Sequence, residues 1–361
     1  MEFSDVKRDC HYFKGHVPCK FNKLDGSICS DCLHFKPIQT RILIIKLAAL
    51  GDVIRTTPLL AMFRKKYPNS HITWMTESPE ILPKDAIDQI LPFNAMSVFL
   101  LENSLFDLAV NLDKEPEACV LMAKVEAKEK YGYTWEDHAV APCTPAAEHK
   151  LMTGFFDQLS KENTLSYPQE IFAICHATFQ NEPYAIRLNK EKYQQWKSEL
   201  GAMFLDRKVI GLNTGCGPRW NTRLWPESHW IELATLLQAQ GYFPMFLGGE
   251  QEHEKNQRMS QETGVYYPGH FDLETFISLT NVCDIVVTQV TMMMHIATAL
   301  QKKMVLMNTI FNPHEFEMYN RGVLVGPPNP CVCYYGNTCS KGSPCMNRIT
   351  PEQVISALVT L

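Results

Sequence analysis

The sequence predicts an α/β protein of two doubly wound halves, each a parallel sheet with helices on both faces. Short apolar runs rich in β-branched residues alternate with amphipathic stretches from residue 41 to about 112, and the alternation returns from 208 to about 307. Between the two lies "NEPYAIRLNKEKYQQW", which reads as an interdomain connection near residues 180 to 205. The chain has 361 residues, enough for two ordinary domains. The expected division is a cysteine-rich, metal-binding extension at 1–40, an N-terminal Rossmann-like domain at 41–190 and a C-terminal one at 205–361 with a cysteine-rich tail.

Each element has its own warrant. "RILIIKL", Arg41 to Leu47, is continuous, β-branched and short, as a strand buried on both faces should be. Val53 to Lys66 has helical spacing, with Pro58 forcing a kink or a late start. His71 to Thr76, Met96 to Leu100 and Leu108 to Leu112 are further candidate strands; the pattern then fades between about Tyr131 and Pro168. In the second half Lys208 to Thr214 is a strand. Pro226 to Gln240 is a helix with Pro at its start, Glu227 in its first turn and Gly241 just past its end. "YFPMFLGG", "DIVVTQ" and "KMVLMNT" are strands, and "LETFISLTNVC" and "MMMHIATAL" are helices.

A formal net charge of -5 argues against a nucleic-acid partner, which would normally show as a basic face, although Arg64-Lys65-Lys66 is a local basic patch. No apolar run approaches the roughly 18 to 20 residues that span a bilayer, and "MEFSDVKRDC" has no signal-peptide core. The expectation is a soluble, cytoplasmic protein. No Gly-x-Gly-x-x-Gly follows any expected strand, which argues against a dehydrogenase.

In such folds ligands bind beyond the carboxyl ends of the strands. Asp52 falls there, directly after the first strand, where aspartate can also serve as a helix cap. "IIKLAALGDVIRTTPLL" resembles the N-terminal motif of the bacterial heptosyltransferases of glycosyltransferase family 9: an apolar strand, a basic residue, Leu-Gly-Asp and a helix. "NTGCGPRWNTRLWPESHWIELATLLQAQGYFPMFLGG" and "DIVVTQVTMMMHIATALQKKMVLMN" resemble the later motifs of that family, so the likeness covers about residues 41 to 325 in order.

That resemblance implies a GT-B fold, two Rossmann-like domains facing a cleft. It implies an inverting transfer of heptose from an ADP-sugar to a hydroxyl of lipopolysaccharide core or surface glycan, with the N-terminal domain on the acceptor side and no metal needed for the transfer itself. Asp52, after Gly51, matches the general base. Arg223 matches a cation near the donor phosphates, with a surface ion pair as its alternative. Glu250 matches a residue contacting the nucleotide, with a helix cap as its alternative. Thr214 and Gly215 open a loop whose N–H groups can face phosphate. Thr291 and His295 belong to the donor-side helix, where His295 is equally readable as a core residue. His314 and Glu315 fall in a donor-facing loop. Asp113 and Glu115 are acceptor-side candidates or a solvated helix start. One departure stands out: Val290 and Met292 occupy the places of an aspartate and a glycine, which leaves the donor sugar open. The competing readings are another nucleotide-sugar transferase, one with a protein acceptor, or a non-catalytic sugar-nucleotide-binding scaffold.

The thirteen cysteines cluster at the ends. Cys10, Cys19, Cys29 and Cys32 resemble a four-thiolate metal site, with His11, His16 and His34 as possible substitutes. Cys331, Cys333, Cys339 and Cys345 are a second, irregular group. Structural zinc is the expected ion and iron or an iron–sulfur cluster the alternative; unligated thiols are the bland reading. A group related to family 9, which glycosylates autotransporter proteins, carries iron on cysteines. The partners expected are therefore an ADP-sugar donor and a lipid-linked glycan or protein acceptor. A peripheral contact with the cytoplasmic face of the inner membrane would suit the former.

Overall fold

A computed structural model describes residues 2–217, 221–339 and 342–361. Its contacts divide the chain into two compact units. The first contains Met1–Ala48, Thr56–Leu151 and Ile171–Glu182; the second contains Ala49–Arg55, Met152–Glu170 and Pro183–Leu361. Residues before 41 thus pack as part of the first unit. The chain leaves that unit at 49–55 and again at 152–170, which no feature of composition announces.

The first unit is built on β1 (Thr40–Ile45), β2 (Ser70–Thr76), β3 (Gln89–Pro92), β4 (Leu105–Asn111), β5 (Glu126–Glu136) and β6 (Ala139–Pro142). They lie in the order β3-β2-β1-β4-β5-β6, parallel except for the β5–β6 hairpin. Ile42, Leu43, Ile44 and Ile45 are wholly buried, which explains why β1 reads as an unbroken apolar run. Pro58 ends one helix and starts another: Leu50–Thr56 stops and Pro58–Lys66 begins with proline in its first turn, where no N–H is needed.

Met96 to Leu100 is not a strand. It belongs to a helix, Ala95–Glu102, because the Asn94 side chain accepts the Ser97 N–H at 2.9 Å and caps it. A five-residue apolar run carries too little periodicity to separate the two. The stretch from 131 holds the rest of β5, the hairpin strand β6 and the helices Glu148–Phe155, Asp157–Glu162 and Tyr167–Ile174.

Asp113, two residues past β4, is a buried structural group. Its Oδ2 accepts from Lys46 Nζ at 3.0 Å and from the N–H groups of Leu47 at 3.0 Å and Ala48 at 3.2 Å. It ties the end of β4 to the end of β1. Glu115 is exposed before the helix Pro116–Lys124. Asp113→Ala strands the Lys46 ammonium in a dry site, and breaking such a pair costs about 3–5 kcal/mol; urea denaturation should show a loss of that size.

The second unit has β7 (Val209–Asn213), β8 (Phe243–Leu247), β9 (Ile285–Gln289), β10 (Lys303–Met307) and β11 (Gly322–Val325), all parallel, in the order β11-β10-β9-β7-β8. Trp230, Leu233 and Leu237 of the helix Glu227–Ala239 pack with Ile210, Phe246 and Val287 in its core. Pro226 caps that helix and Gly241 follows it at φ +83°, in the left-handed conformation. The expected connection is largely a helix, Lys190–Phe204, whose Asn189 cap accepts the Lys192 N–H at 3.0 Å. Among the described residues, no helix is long and apolar enough to cross a membrane.

Candidate active site

In the second sheet the strand order turns at β7. β8 lies on one side and β9 on the other, so the loops after β7 and β9 part and leave a crevice. A pocket of about 750 Å³ occupies that crevice. Asn213, Gly215, Cys216 and Gly217 reach it from the end of β7, Gly249 and Glu252 from the end of β8, and Val290 and Thr291 from the end of β9. Gly51, Asp52 and Arg55 come from the 49–55 segment, and Phe311 and Glu315 from the loop after β10.

Two side chains fix the loops. Asn213 Nδ2 donates to Gly215 O and to Thr288 Oγ1, both at 3.0 Å. The Arg223 guanidinium donates through Nη1 to Val290 O at 2.6 Å and through Nη2 to Cys216 O. Arg223 is therefore neither a surface ion pair nor a loose cation. It staples the loops after β7 and β9 together and brings a fixed positive charge to the pocket.

The helix Met292–Ala299 begins at this rim. Thr291 caps it, its hydroxyl oxygen accepting the Met293 N–H at 3.0 Å, and no acidic residue stands in its first turn. Its dipole makes the rim favourable to an anion. Val290 and Met292 give the same rim apolar side chains.

One turn on, His295 packs against the 49–55 segment. A Cβ at Gly51 would lie 2.6 Å from its Cδ2, so only glycine permits this approach. Its ring stacks on Tyr184 with centroids 6.4 Å apart, and its buried Nδ1 has no partner. Burial, with help from Arg55 and against the pull of Asp52, holds its pKa down at about 3. His295 is thus neutral when folded. Below the ordinary value of 6.5 the unfolded chain takes up a proton that the folded chain refuses. Stability is expected in full above pH 6.5 and to decline as the pH falls towards 3. His71, in the first unit, is held down to about 4 by burial and acts in the same direction. His295→Gln should flatten the acid side of a stability-against-pH curve. Gly51→Ala should cost about 1–3 kcal/mol by overpacking; Gly51→Ala/His295→Ala should recover part of it, read as melting temperature.

Asp52 sits in the first turn of its helix with about a third of its side chain exposed, and its Oδ1 is 2.7 Å from Arg55 Nη2. Arg55 also approaches Glu315, Nη1 to Oε2 at 3.7 Å, and lies over the Tyr167 ring at 3.7 Å. Burial opposes the charge on Arg55, but Asp52 and Glu315 raise its pKa overall. An aromatic face and two carboxylates thus hold this arginine, and it orients the Asp52 carboxylate.

Two expected residues lie elsewhere. Thr214 is fully buried: its hydroxyl donates to Asn256 Oδ1 at 2.6 Å and its carbonyl accepts from Lys255 Nζ at 3.0 Å. It supports the loop and does not line the pocket. Glu250 is exposed at the start of a 3-10 turn, Glu250–Glu252, and does not line the pocket either. The turn brings Glu252 inward instead, where Oε2 accepts the Gly249 N–H at 3.0 Å and the carboxylate fills the space a Cβ at Gly215 would need. Glu315 lines the pocket and His314 is exposed outside it. The Pro218–Trp220 part of the glycine-rich motif lies outside the described residues. Arg55, Tyr167 and Glu252 escape sequence reasoning; only the i, i+3 spacing of Asp52 and Arg55 on one helix hinted at the first.

The cysteines form two groups. Cys10, Cys19, Cys29 and Cys32 surround a cavity of about 30 Å³ in the first unit. In the second unit the free Cys331 thiol is hydrogen-bonded to the free Cys345 and lies near Cys333, and burial pushes its pKa up to about 12. Arg348 Nη2 donates to Cys345 Sγ at 2.8 Å. Cys339 is half-buried, its carbonyl accepting the Gly342 N–H at 3.1 Å. Among the described residues, no three His, Cys, Asp or Glu side chains stand close enough to share a metal ion.

The family described as glycosyltransferase family 9 (heptosyltransferase) matches residues 100–326, more than half of the chain. The chain belongs to glycosyltransferase family 9. Lipooligosaccharide heptosyltransferase 2 of Haemophilus influenzae is 23% identical to it over 291 residues, covering 73% of this chain and 82% of that protein. A family 9 glycosyltransferase from Veillonella parvula matches with a TM-score of 0.68 at 21% identity, over 89% of this chain and 97% of the other. The iron-containing heptosyltransferase TibC of enterotoxigenic Escherichia coli matches with a TM-score of 0.57 at 11% identity, over 90% of this chain and 76% of TibC. This family 9 glycosyltransferase accordingly has the GT-B type of fold, two Rossmann-like domains, and its pocket lies at the switch point of the second.

Proposed function

We propose that this glycosyltransferase transfers a heptose from ADP-heptose to a hydroxyl of a lipopolysaccharide core acceptor, with inversion at the anomeric carbon. The observation that carries the reading is the meeting of Asp52, the Arg223-stapled loops and the N-terminus of the helix Met292–Ala299 in one pocket. In the transfer the acceptor oxygen bonds to the anomeric carbon as the bond from that carbon to the diphosphate breaks. The proton of the acceptor hydroxyl passes to the Asp52 carboxylate. The diphosphate leaves with the bonding pair, and its charge is met by the fixed guanidinium of Arg223, the helix N-terminus and the N–H groups of the Gly215 loop. Arg55 keeps the base oriented. Glu252 is the acidic group on the nucleotide side. TibC, described with bound ADP-heptose, and the Haemophilus influenzae relative support the donor and acceptor classes.

The apolar Val290 and Met292 at the helix rim favour a second reading, a nucleotide sugar other than ADP-heptose. The same function would have the chain work in the cytoplasm at the inner face of the inner membrane. Metal on Cys331, Cys333, Cys339 and Cys345 is part of the proposal too, supported by the pairing of the Cys331 and Cys345 thiols and by the iron of TibC. A thermal-shift panel of ADP, ADP-heptose, UDP-sugars and GDP-sugars tests the donor, because a ligand of the folded state raises its melting temperature by mass action. A selective shift with ADP-heptose is the expected result. A selective shift with a UDP- or GDP-sugar would overturn the donor while leaving the pocket.

A further inference from the structure

We propose that Cys10, Cys19, Cys29 and Cys32 bind one soft divalent ion, zinc in the first place, as a structural tetrathiolate. None of residues 2–41 is buried. A segment of that length with no fully buried apolar residue has only a weak hydrophobic term to set against the entropy of its own ordering. It is nevertheless built of defined turns. A short helix, Lys20–Asp25, starts at Cys19 and ends at Gly26 in the left-handed conformation. Cys10 forms a bridge with Pro37, and Ile38 N donates to Asp9 O at 2.6 Å. Something other than a core must hold these turns.

The four cysteines provide it. They come from three separate turns and surround one cavity of about 30 Å³, walled by Phe21 and Phe35. That volume suits one ion or one water and no organic ligand, and an apolar wall offers a water no partners. The Asn22 N–H points at Cys19 Sγ at 3.5 Å, the kind of donor that steadies a metal-bound thiolate. Among the described residues, no histidine lines this cavity: His34 bonds to Asp25 at 3.0 Å and stacks on Phe21, His16 bonds to Lys14 O at 2.9 Å, and His11 faces Asp88 at 3.3 Å. The donor set is thus sulfur only, which suits zinc or ferrous iron and excludes magnesium and calcium. Four thiolates around a divalent ion leave two negative charges. Lys7 at the cavity wall and Lys20, 4.7 Å from the centre of the Phe21 ring, stand close by to offset them. In the present conformation the thiols surround the cavity without closing on it, so binding must draw them inward.

Elemental analysis of the full-length protein, purified without chelator, should find one equivalent of zinc or iron that Cys29→Ser/Cys32→Ser removes and Cys331→Ser/Cys333→Ser leaves. Cobalt(II) added to stripped Cys331→Ser/Cys333→Ser protein, which keeps the first group and lacks the second, should give a thiolate charge-transfer band with tetrahedral ligand-field bands. Metal removal should speed amide hydrogen exchange in residues 10–38 and leave Val209–Asn213 unchanged. Absence of the cobalt bands, or a metal that follows Cys331 and Cys333 instead, would overturn the proposal. The cobalt titration leaves all four cysteines of the first group intact, so it decides the matter even where Cys29→Ser/Cys32→Ser does not fold.

Discussion

Asp52→Asn is expected to lower the rate of sugar transfer by about 10²–10⁴-fold, the usual contribution of a positioned general base. Asparagine keeps the size and the hydrogen-bonding reach of the side chain but cannot take a proton from the acceptor hydroxyl. In the proposed reaction Arg223, Glu252 and the helix Met292–Ala299 hold the nucleotide, so the dissociation constant for ADP should change little. The variant also removes one of the two carboxylates beside Arg55. Glu315 and the Tyr167 ring remain, so the guanidinium should stay in place. Calorimetry with ADP alongside steady-state kinetics separates the two effects. A rate loss explained wholly by weaker nucleotide binding would remove Asp52 from the base role.

The second large effect is expected at Arg223. Arg223→Ala removes a charge from the pocket and also frees the carbonyls of Val290 and Cys216, which now share one guanidinium. Loss of a preorganised charge-stabilising donor costs about 10²–10³-fold in turnover, and separation of the loops should weaken nucleotide binding as well. Arg223→Lys makes the test sharper. Lysine keeps the charge, but its single ammonium cannot reproduce the planar fork. If stapling matters most, lysine should behave almost like alanine; if charge matters most, lysine should restore most of the activity. Wild-type kinetics in both variants would show that neither role exists.

Much of this was legible in the chain itself. The strands Thr40–Ile45, Val209–Asn213 and Ile285–Gln289 lie inside their sheets, and the runs Ile42–Ile45, Val209–Leu212 and Ile285–Val287 are apolar because both faces are covered there. The helix Glu227–Ala239 carried its own stop signs in Pro226 and Gly241. Asp52 and Arg223 were visible as polar residues at strand and helix boundaries within recognisable motifs. The helix Ala95–Glu102 was not legible, because its cap residue decides it and five apolar residues suit either element.

What only the tertiary structure decided is orientation and company. The difference between Glu250, facing solvent, and Glu252, facing the pocket, is two residues of a 3-10 turn, a rotation no pattern of residue types encodes. Thr214 turned to Asn256, and Gly51 was required by a histidine 244 positions later in the chain. Arg55 became part of the site through Tyr167 and Glu315, which lie far from it in sequence. Composition and periodicity determined that two parallel sheets flanked by helices would form and which loops would follow their strands; the strand order, and with it the switch point, belonged to the tertiary structure. The roles of side chains in those loops were set by contacts between distant segments, because a side chain's partner depends on where the folded backbone aims it.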